Sequence, residues 1–248
     1  DGSYALRQPH TGNTSEGRFN PQSQVSSSNF MSQGQGALLK HHGWLFMSTW
    51  SGTSFEKMIK RLWPNNGSVE STLTLEQGSC TLPSNPSSTY YAAYGFRDWT
   101  VTPDEKLYGI FSTYRYHYGS SAPVQHHRVL EIDVRYDDVW KCLDSYDISP
   151  QLSEYTGIGY DRVNDKIWVV HGTQRKLVSY EFLGGGQFDR GSTIYTFSSP
   201  SSGTLDCGKA GGFVRGLAVH GDMFWMRCKK GTSSWSTTDV LNAWAVSP

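Results

Sequence analysis

The chain has 248 residues, and its 22 basic side chains balance its 22 acidic ones, so there is no basic stripe to suggest a nucleic-acid partner. No apolar run is long enough to predict a membrane-spanning helix. With 26 glycines and 14% aromatic residues, the composition instead favours short strands joined by many turns.

The predicted elements repeat along the chain. Glycine followed by a short apolar strand occurs at residues 36, 95, 157 and 216. A tight turn and a strand with aromatic residues follow each time, at Gly43–Phe46, Lys106–Tyr108, Lys166–Trp168 and Asp222–Trp225. Third strands are predicted at Lys57–Trp63, Arg128–Val134, Lys176–Phe182 and Val240–Val246. Fourth strands are predicted at Val69–Leu75, Val139–Tyr146 and Ser192–Phe197. The first strand and the second strand of each repeat recur independently at nearly the same spacing, so the repeat is a structural unit.

Four strands in each repeat of about 60 residues predict an all-β fold, a single small β-propeller with four blades, with five blades as the alternative. The last repeat ends after its third strand, which would leave an exposed sheet edge. We expect the segment 1–30 to pair beside Val240–Val246 and close the ring. The predicted division is therefore a lead-in and closing strand at 1–35 and a propeller at 36–248.

This architecture resembles small propellers such as the hemopexin-like four-bladed and olfactomedin-like five-bladed domains. The resemblance covers most of the chain but stays at the level of the fold. It therefore implies no functional residues.

The four cysteines allow two disulfides in three connectivities. We favour Cys207–Cys228, which flank the first two strands of the fourth repeat, while Cys80 and Cys142 lie in the second repeat and its lead-in. Two N-glycosylation triplets occur, at Asn13–Ser15 and Asn66–Ser68. Together these features predict a secreted or surface-displayed glycoprotein.

Long connections gather on one face of the predicted propeller, whereas turns on the opposite face, such as Pro103–Lys106, are short. Long loops on a rigid scaffold usually carry binding. Their aromatic, hydroxyl and amide side chains suit sugars and are equally typical of protein-binding loops. The candidate ligand contacts are Trp50, Tyr114, Tyr116, His117, His171, Arg175 and Trp235. The alternative is that these aromatic rings only pack their own loops.

The histidine pairs 41–42 and 126–127 have no third ligand nearby in sequence, so we predict neither a metal site nor a cofactor. Asp98 and Asp161 lie near inner strands, and their carboxylates could hold a hard cation in the central channel. The simpler interpretation is that each accepts hydrogen bonds from nearby amides.

The chain contains neither a GxSxG elbow nor an HExxH motif. Our leading hypothesis is a non-enzymatic recognition domain that binds a cell-surface glycan or glycoprotein, as a lectin or an attachment domain does. One alternative is a sialidase-type glycoside hydrolase, which would need a carboxylate, a tyrosine and clustered arginines. The arginines that could form such a cluster are Arg97, Arg115, Arg175, Arg215 and Arg227. The other alternative is an adhesion module that binds only protein.

Overall fold

The structure is a computed structural model. It describes residues 38–48, 55–65, 68–82, 91–116, 124–148, 156–171, 176–196, 213–221, 223–229 and 239–245. The segment 1–37, with the expected closing strand, lies outside the described residues. The division into 1–35 and 36–248 therefore stays a prediction.

The described chain is built almost entirely from strands, apart from a short 3-10 helix at Phe55–Lys57. The strands of the first half are β1 (Leu38–His41), β2 (Trp44–Ser48), β3 (Ile59–Leu62), β4 (Val69–Glu76), β5 (Tyr91–Val101), β6 (Lys106–Tyr116), β7 (Val124–Asp133) and β8 (Val139–Tyr146). Those of the second half are β9 (Thr156–Asp161), β10 (Lys166–His171), β11 (Lys176–Gly184), β12 (Gln187–Thr196), β13 (Phe213–His220), β14 (Met223–Lys229) and β15 (Asp239–Ala245).

Consecutive strands pair antiparallel in meanders, as the repeat predicts. We call β1–β4, β5–β8, β9–β12 and β13–β15 the first, second, third and fourth sheets. The first and second are joined, because their last strands pair in parallel, with Thr74 opposite Val139 and Glu76 opposite Lys141. The two meanders therefore form one eight-stranded sheet.

In the second and third sheets, apolar side chains alternate between the two sides, and both sides are buried. In β6, Leu107 and Phe111 belong to the core shared with the first sheet. Tyr108 and Ile110, between them, belong to the core shared with the third sheet. Since successive side chains of a strand point to opposite faces, the second sheet is packed between the first and the third. This is the packing of blades around an axis.

The inner strands meet closely at that axis. A Cβ atom built on Gly157 of β9 would lie 2.9 Å from backbone atoms of Gly216 and Leu217 in β13. On the other side of β9, the Thr100 hydroxyl of β5 accepts a hydrogen bond from the Tyr160 backbone N–H at 3.0 Å. The all-β, propeller-like fold is thus confirmed, while the number of blades stays a prediction. None of these features is specific to hemopexin-like or olfactomedin-like domains.

Several strands of the second sheet are longer than predicted. Tyr114 and Tyr116, expected in a loop, lie in β6, where Tyr116 pairs with Tyr91 of β5 and Tyr114 with Gln125 of β7. His127, expected just before a third strand, lies within β7. The ladders with both neighbours extend these strands through polar residues that locally resemble a loop.

A disulfide joins Cys80, which follows β4, to Cys142 of β8 across a sequence separation of 62 residues. Cys228 lies in β14, whereas Cys207 lies outside the described residues, so a Cys207–Cys228 bond stays a prediction. A disulfide is compatible with an extracellular protein. In the part of the chain that the structure describes, no helix has the length and apolar character needed to cross a membrane.

Candidate functional site

A cleft of about 860 Å³ opens between the second and third sheets. Its walls are the β5–β6 turn with Asp104, the β9–β10 turn with Arg162 and Asp165, and the strands β11 and β12. It lies on the face of the short turns, opposite the face on which the sequence predicted binding. We refer to it below as the cleft.

Aromatic rings form the floor of the cleft. Phe182 stacks against Tyr108 with ring centroids 5.2 Å apart and against Tyr180 at 6.0 Å. Behind them, Tyr146 packs on Phe182 at 4.5 Å. These rings come from strands of both sheets, so the floor is also part of the core that holds the sheets together.

The floor tyrosines keep their protons at neutral pH. Burial raises the pKa of Tyr180 to about 12, although Arg190 acts in the opposite direction. Burial also raises the pKa of Tyr108, and the negative charge of Glu131 adds to this effect. Glu131 is itself held by the Tyr146 hydroxyl, which donates to it at 2.5 Å, and by the Lys106 ammonium at 2.9 Å.

Charged side chains of both signs form the rim. All are exposed, so a bound molecule would meet them directly. The rim residues are Asp104, Arg162, Asp165, Lys166, Glu181, Asp189 and Arg190. Arginine guanidinium groups match planar carboxylates with paired hydrogen bonds. An aromatic floor below such a rim suits a polar molecule that also has an apolar face and a carboxylate for the arginines.

One tyrosine on the wall is paired with a carboxylate. The Tyr160 hydroxyl donates to Asp165 Oδ1 at 2.6 Å, and this hydrogen bond is the main reason that the pKa of Tyr160 rises to about 12. Asp165 has a φ of 51°, in the left-handed region, where a side chain other than glycine carries a small strain. Such residues are enriched at functional sites.

The turn that carries Asp165 is braced from below by Asp161. Asp161 Oδ1 accepts the backbone N–H of Val163 at 3.0 Å and that of Gly221 in the next sheet at 2.8 Å, and Oδ2 accepts the Asn164 amide at 2.6 Å. Burial alone would raise the pKa of Asp161, but these donors outweigh it and lower the pKa. The Tyr160–Asp165 pair is therefore held on a preorganised turn.

A serine–histidine pair was missed by sequence reasoning. Ser112 Oγ and His127 Nδ1 lie 2.6 Å apart on the paired strands β6 and β7. The two residues are 0% and 4% exposed, so a substrate would not reach the hydroxyl. The pair could be found only from the strand register, because the two residues are 15 positions apart.

Of the predicted ligand contacts, only His171, Tyr114 and Tyr116 are among the described residues. His171 is the last residue of β10 and is fully buried, with its Nε2 2.9 Å from the Tyr180 hydroxyl, so it is not in the loop where the sequence placed it. Tyr114 and Tyr116 lie in β6. The remaining contacts fall outside the described residues, and they are Trp50, His117, Arg175 and Trp235.

The two aspartates considered for a channel cation bind amides. Asp98 Oδ2 accepts the backbone N–H groups of Ile158 and Leu217, each at 2.9 Å. Asp161 accepts hydrogen bonds from the Val163 and Gly221 backbone N–H groups and from the Asn164 side-chain amide. Both carboxylates thus connect inner strands, as in the simpler of the two interpretations.

Comparison with known proteins gave no matching family model and no matching curated protein. Among solved structures, a protein provisionally named a gluconolactonase is similar over 78% of this chain, with 15% identity and a TM-score of 0.43. The chain spans only 56% of the length of that protein. A luciferin-regenerating enzyme is similar over 90% of this chain and 79% of its own, with 11% identity and a TM-score of 0.40. Likenesses at this level establish no family.

Both similar structures carry enzyme names, which contradicts the expectation of a non-enzymatic recognition domain. The lectin, carbohydrate-binding and cell-attachment assignments made from the sequence were therefore wrong. They relied on the composition of long loops. The open cleft with its paired ionisable groups lies instead among short turns, which that composition argument passed over.

Proposed function

We propose that the protein is a glycoside hydrolase of sialidase type, which cleaves an anionic glycoside in the cleft. The observation that carries the proposal is the hydrogen bond between Tyr160 and Asp165 at the edge of an open, charged cavity. Sialidases are the glycosidases that use a tyrosine as the nucleophile. A tyrosine paired with a carboxylate, beside cationic groups, is the set of residues that this chemistry needs.

The two arginines of the rim supply recognition of the substrate. Arg162 and Arg190 bind the substrate carboxylate, and the stacked rings of Tyr108 and Phe182 cover an apolar face of the sugar. These arginines differ from the candidates that the sequence suggested. Arg162 stands in the β9–β10 turn and Arg190 near the start of β12, and the folding of the third sheet brings both to the cleft.

In the proposed reaction, the Tyr160 oxygen attacks the anomeric carbon while Asp165 accepts its proton. A raised tyrosine pKa makes this base necessary, because the hydroxyl does not ionise by itself near neutral pH. A rim carboxylic acid, from among Asp104, Glu181 and Asp189, protonates the leaving oxygen. In the second step, the rim carboxylate left by the first step accepts a proton from water, whose oxygen bonds to the anomeric carbon. The bond to the Tyr160 oxygen breaks, and Asp165 returns the proton to the phenol.

The test is turnover of a fluorogenic sialoside, with an uncharged glucoside bearing the same leaving group for comparison. We expect cleavage of the anionic substrate only, and a loss of about 100-fold or more in kcat for Tyr160→Phe, which keeps the ring and removes the hydroxyl. Tyr136→Phe is the matched control, since Tyr136 is 64% exposed and does not line the cleft. Folded protein that cleaves neither substrate would overturn the proposal.

We also propose where the protein acts and how many blades it has. The substrate would be carried on a cell-surface glycan or glycoprotein, and the protein would act outside the cell or displayed on a surface, where its disulfide persists. A ring of four blades, as in hemopexin-like domains, is favoured over five, because four inner strands are described: β1, β5, β9 and β13.

A further inference from the structure

Two histidines and a glutamate from different sheets converge at the junction of the first and second sheets. His41 ends β1 and His42 begins the turn to β2, whereas Glu105 belongs to the β5–β6 turn. One donor atom of each of these side chains lies within 4.8 Å of the others. His42 Nε2 is 2.7 Å from Glu105 Oε1, although the two residues are 63 positions apart in sequence.

In each histidine, one ring nitrogen already has an oxygen partner outside this group of three residues. His41 Nε2 lies 3.1 Å from the Val134 carbonyl oxygen, and His42 Nδ1 lies 3.0 Å from Asp137 Oδ1. If each of these nitrogens carries the proton, it donates to its oxygen and the opposite nitrogen presents a lone pair. Metal-binding histidines almost always have such a partner, a backbone carbonyl or a carboxylate, because it fixes the ring and its tautomer.

The turns hold this arrangement in place at some conformational cost. His42 has a φ of 47° and Glu105 a φ of 60°, both in the left-handed region that residues other than glycine seldom adopt. The rings of His41 and His42 stack with centroids 3.8 Å apart, and one ring nitrogen of each lies within 4.8 Å of a Glu105 carboxylate oxygen. His42 and Glu105 are about one-third exposed, so an ion would have access from solvent and room for water ligands.

We propose that His41 Nδ1, His42 Nε2 and a Glu105 carboxylate oxygen form a binding site for a divalent first-row transition ion of the zinc class. Two imidazoles and one carboxylate with open positions are a recurrent protein ligand set for such ions. The ion enters between His42 and Glu105 and takes the place of the proton on His42 Nε2, which is released to solvent. Rotation of the side chains draws the three donors together around the ion. Water completes its coordination.

Bound there, the ion links the β1–β2 turn to the β5–β6 turn, which the described part of the chain otherwise connects by side-chain hydrogen bonds. The β5–β6 turn also carries Asp104 at the rim of the cleft. The site does not depend on the proposed glycosidase activity, since none of its ligands lines the cleft. It would stiffen the wall of the cleft and protect the junction between the sheets.

The test uses Co²⁺, whose visible absorption reports imidazole and carboxylate coordination, on protein first dialysed against a chelator. We expect saturation at one equivalent, displacement by Zn²⁺, and a rise in Tm with Zn²⁺ that EDTA reverses. Glu105→Gln and His42→Asn should abolish the saturable band. Asparagine is chosen because it tolerates the left-handed backbone at this turn. Asp137→Asn should weaken binding about 10- to 100-fold, as expected for a residue that orients a ligand.

His220→Asn is the matched control, because His220 ends β13 as His41 ends β1 but is exposed in the fourth sheet. Its Co²⁺ binding should equal that of the unchanged protein. Circular dichroism of each variant checks that it is folded. The proposal is overturned if the unchanged protein shows no saturable Co²⁺ band, if folded Glu105→Gln binds normally, or if His220→Asn weakens binding as much as His42→Asn does.

Discussion

Asp98 accepts a hydrogen bond from the backbone N–H of Leu217, 119 positions later in the chain, at 2.9 Å. The same oxygen, Oδ2, accepts the N–H of Ile158 at 2.9 Å. One carboxylate oxygen of the second sheet thus holds the inner strands of the third and fourth sheets. Contacts of this kind help to keep the inner strands in register.

We expect Asp98→Asn to lower the free energy of unfolding by about 2 kcal/mol, because hydrogen bonds to a charged acceptor contribute more than neutral ones. Urea denaturation checks this value. Asp138→Asn, a change at an exposed aspartate between β7 and β8, is the control and should have little effect. Equal stability of the two variants would mean that the Asp98 bonds contribute no more than surface charge does.

Asp161 should make stability depend on pH in the acid range. Its pKa is lowered in the folded protein from an ordinary value of 3.8. Its contribution is therefore fully present above that value and is lost as the pH falls through the lowered folded pKa. Asp161→Asn should flatten the fall in stability below about pH 4, measured by urea denaturation across the range. An unchanged slope in the variant would contradict this assignment.

The Cys80–Cys142 disulfide should stabilise the joined first and second sheets. Closing a loop with a sequence separation of 62 residues contributes about 4 kcal/mol through the unfolded chain. We expect the double variant Cys80→Ala/Cys142→Ala to lose about this much in denaturation under non-reducing conditions. Using the variant in place of a reductant leaves Cys207 and Cys228 in their native state. A loss below about 1 kcal/mol would show that the unfolded chain is already constrained in this region.

Two glycines at the axis should differ in their tolerance of alanine. A Cβ on Gly157 would meet two backbone atoms at 2.9 Å, whereas a Cβ on Gly159 would meet a methyl group of Val219 at 3.0 Å and the Leu217 carbonyl oxygen at 3.1 Å. The contacts at Gly159 are longer, and one of them is with a side chain that can shift. We expect Gly157→Ala to cost about 3 kcal/mol and Gly159→Ala about 1 kcal/mol in thermal or urea unfolding. The reverse order would mean that the inner strands do not pack as described.

The sequence was informative wherever structure follows from a local pattern. Alternation predicted β8 at its observed bounds, and the period of the repeat predicted every second and third strand in approximate position. It could not show that β6 continues to Tyr116, because that extension depends on ladders with Tyr91 and Val124. The parallel pairing of β4 with β8 could not be predicted either, because it joins strands of two different repeats and leaves no pattern in the local sequence.

The candidate site was harder to predict than the fold. Tyr160 and Asp165 lie five positions apart in an ordinary-looking turn, and Arg190 reaches the same cleft from another hairpin. Similarly, His41 and His42 looked alone because Glu105 is distant in sequence. Each site is assembled across two sheets, and residue spacing within one repeat carries no information about which turns of neighbouring repeats meet.

The parallel pairing of β4 with β8 also determines how copies of the protein could associate. An unpaired outer strand presents free N–H and C=O groups that can recruit a strand from another molecule. At the junction of the first and second sheets, Thr74–Glu76 of β4 and Val139–Lys141 of β8 pair with each other. Among the described strands, the outer edge of the third sheet, β12, carries the exposed charges Asp189 and Arg190, which discourage such recruitment. In the part of the chain that the structure describes, β15 at the edge of the fourth sheet is where such recruitment could begin, unless the segment 1–30 pairs there as the sequence predicts.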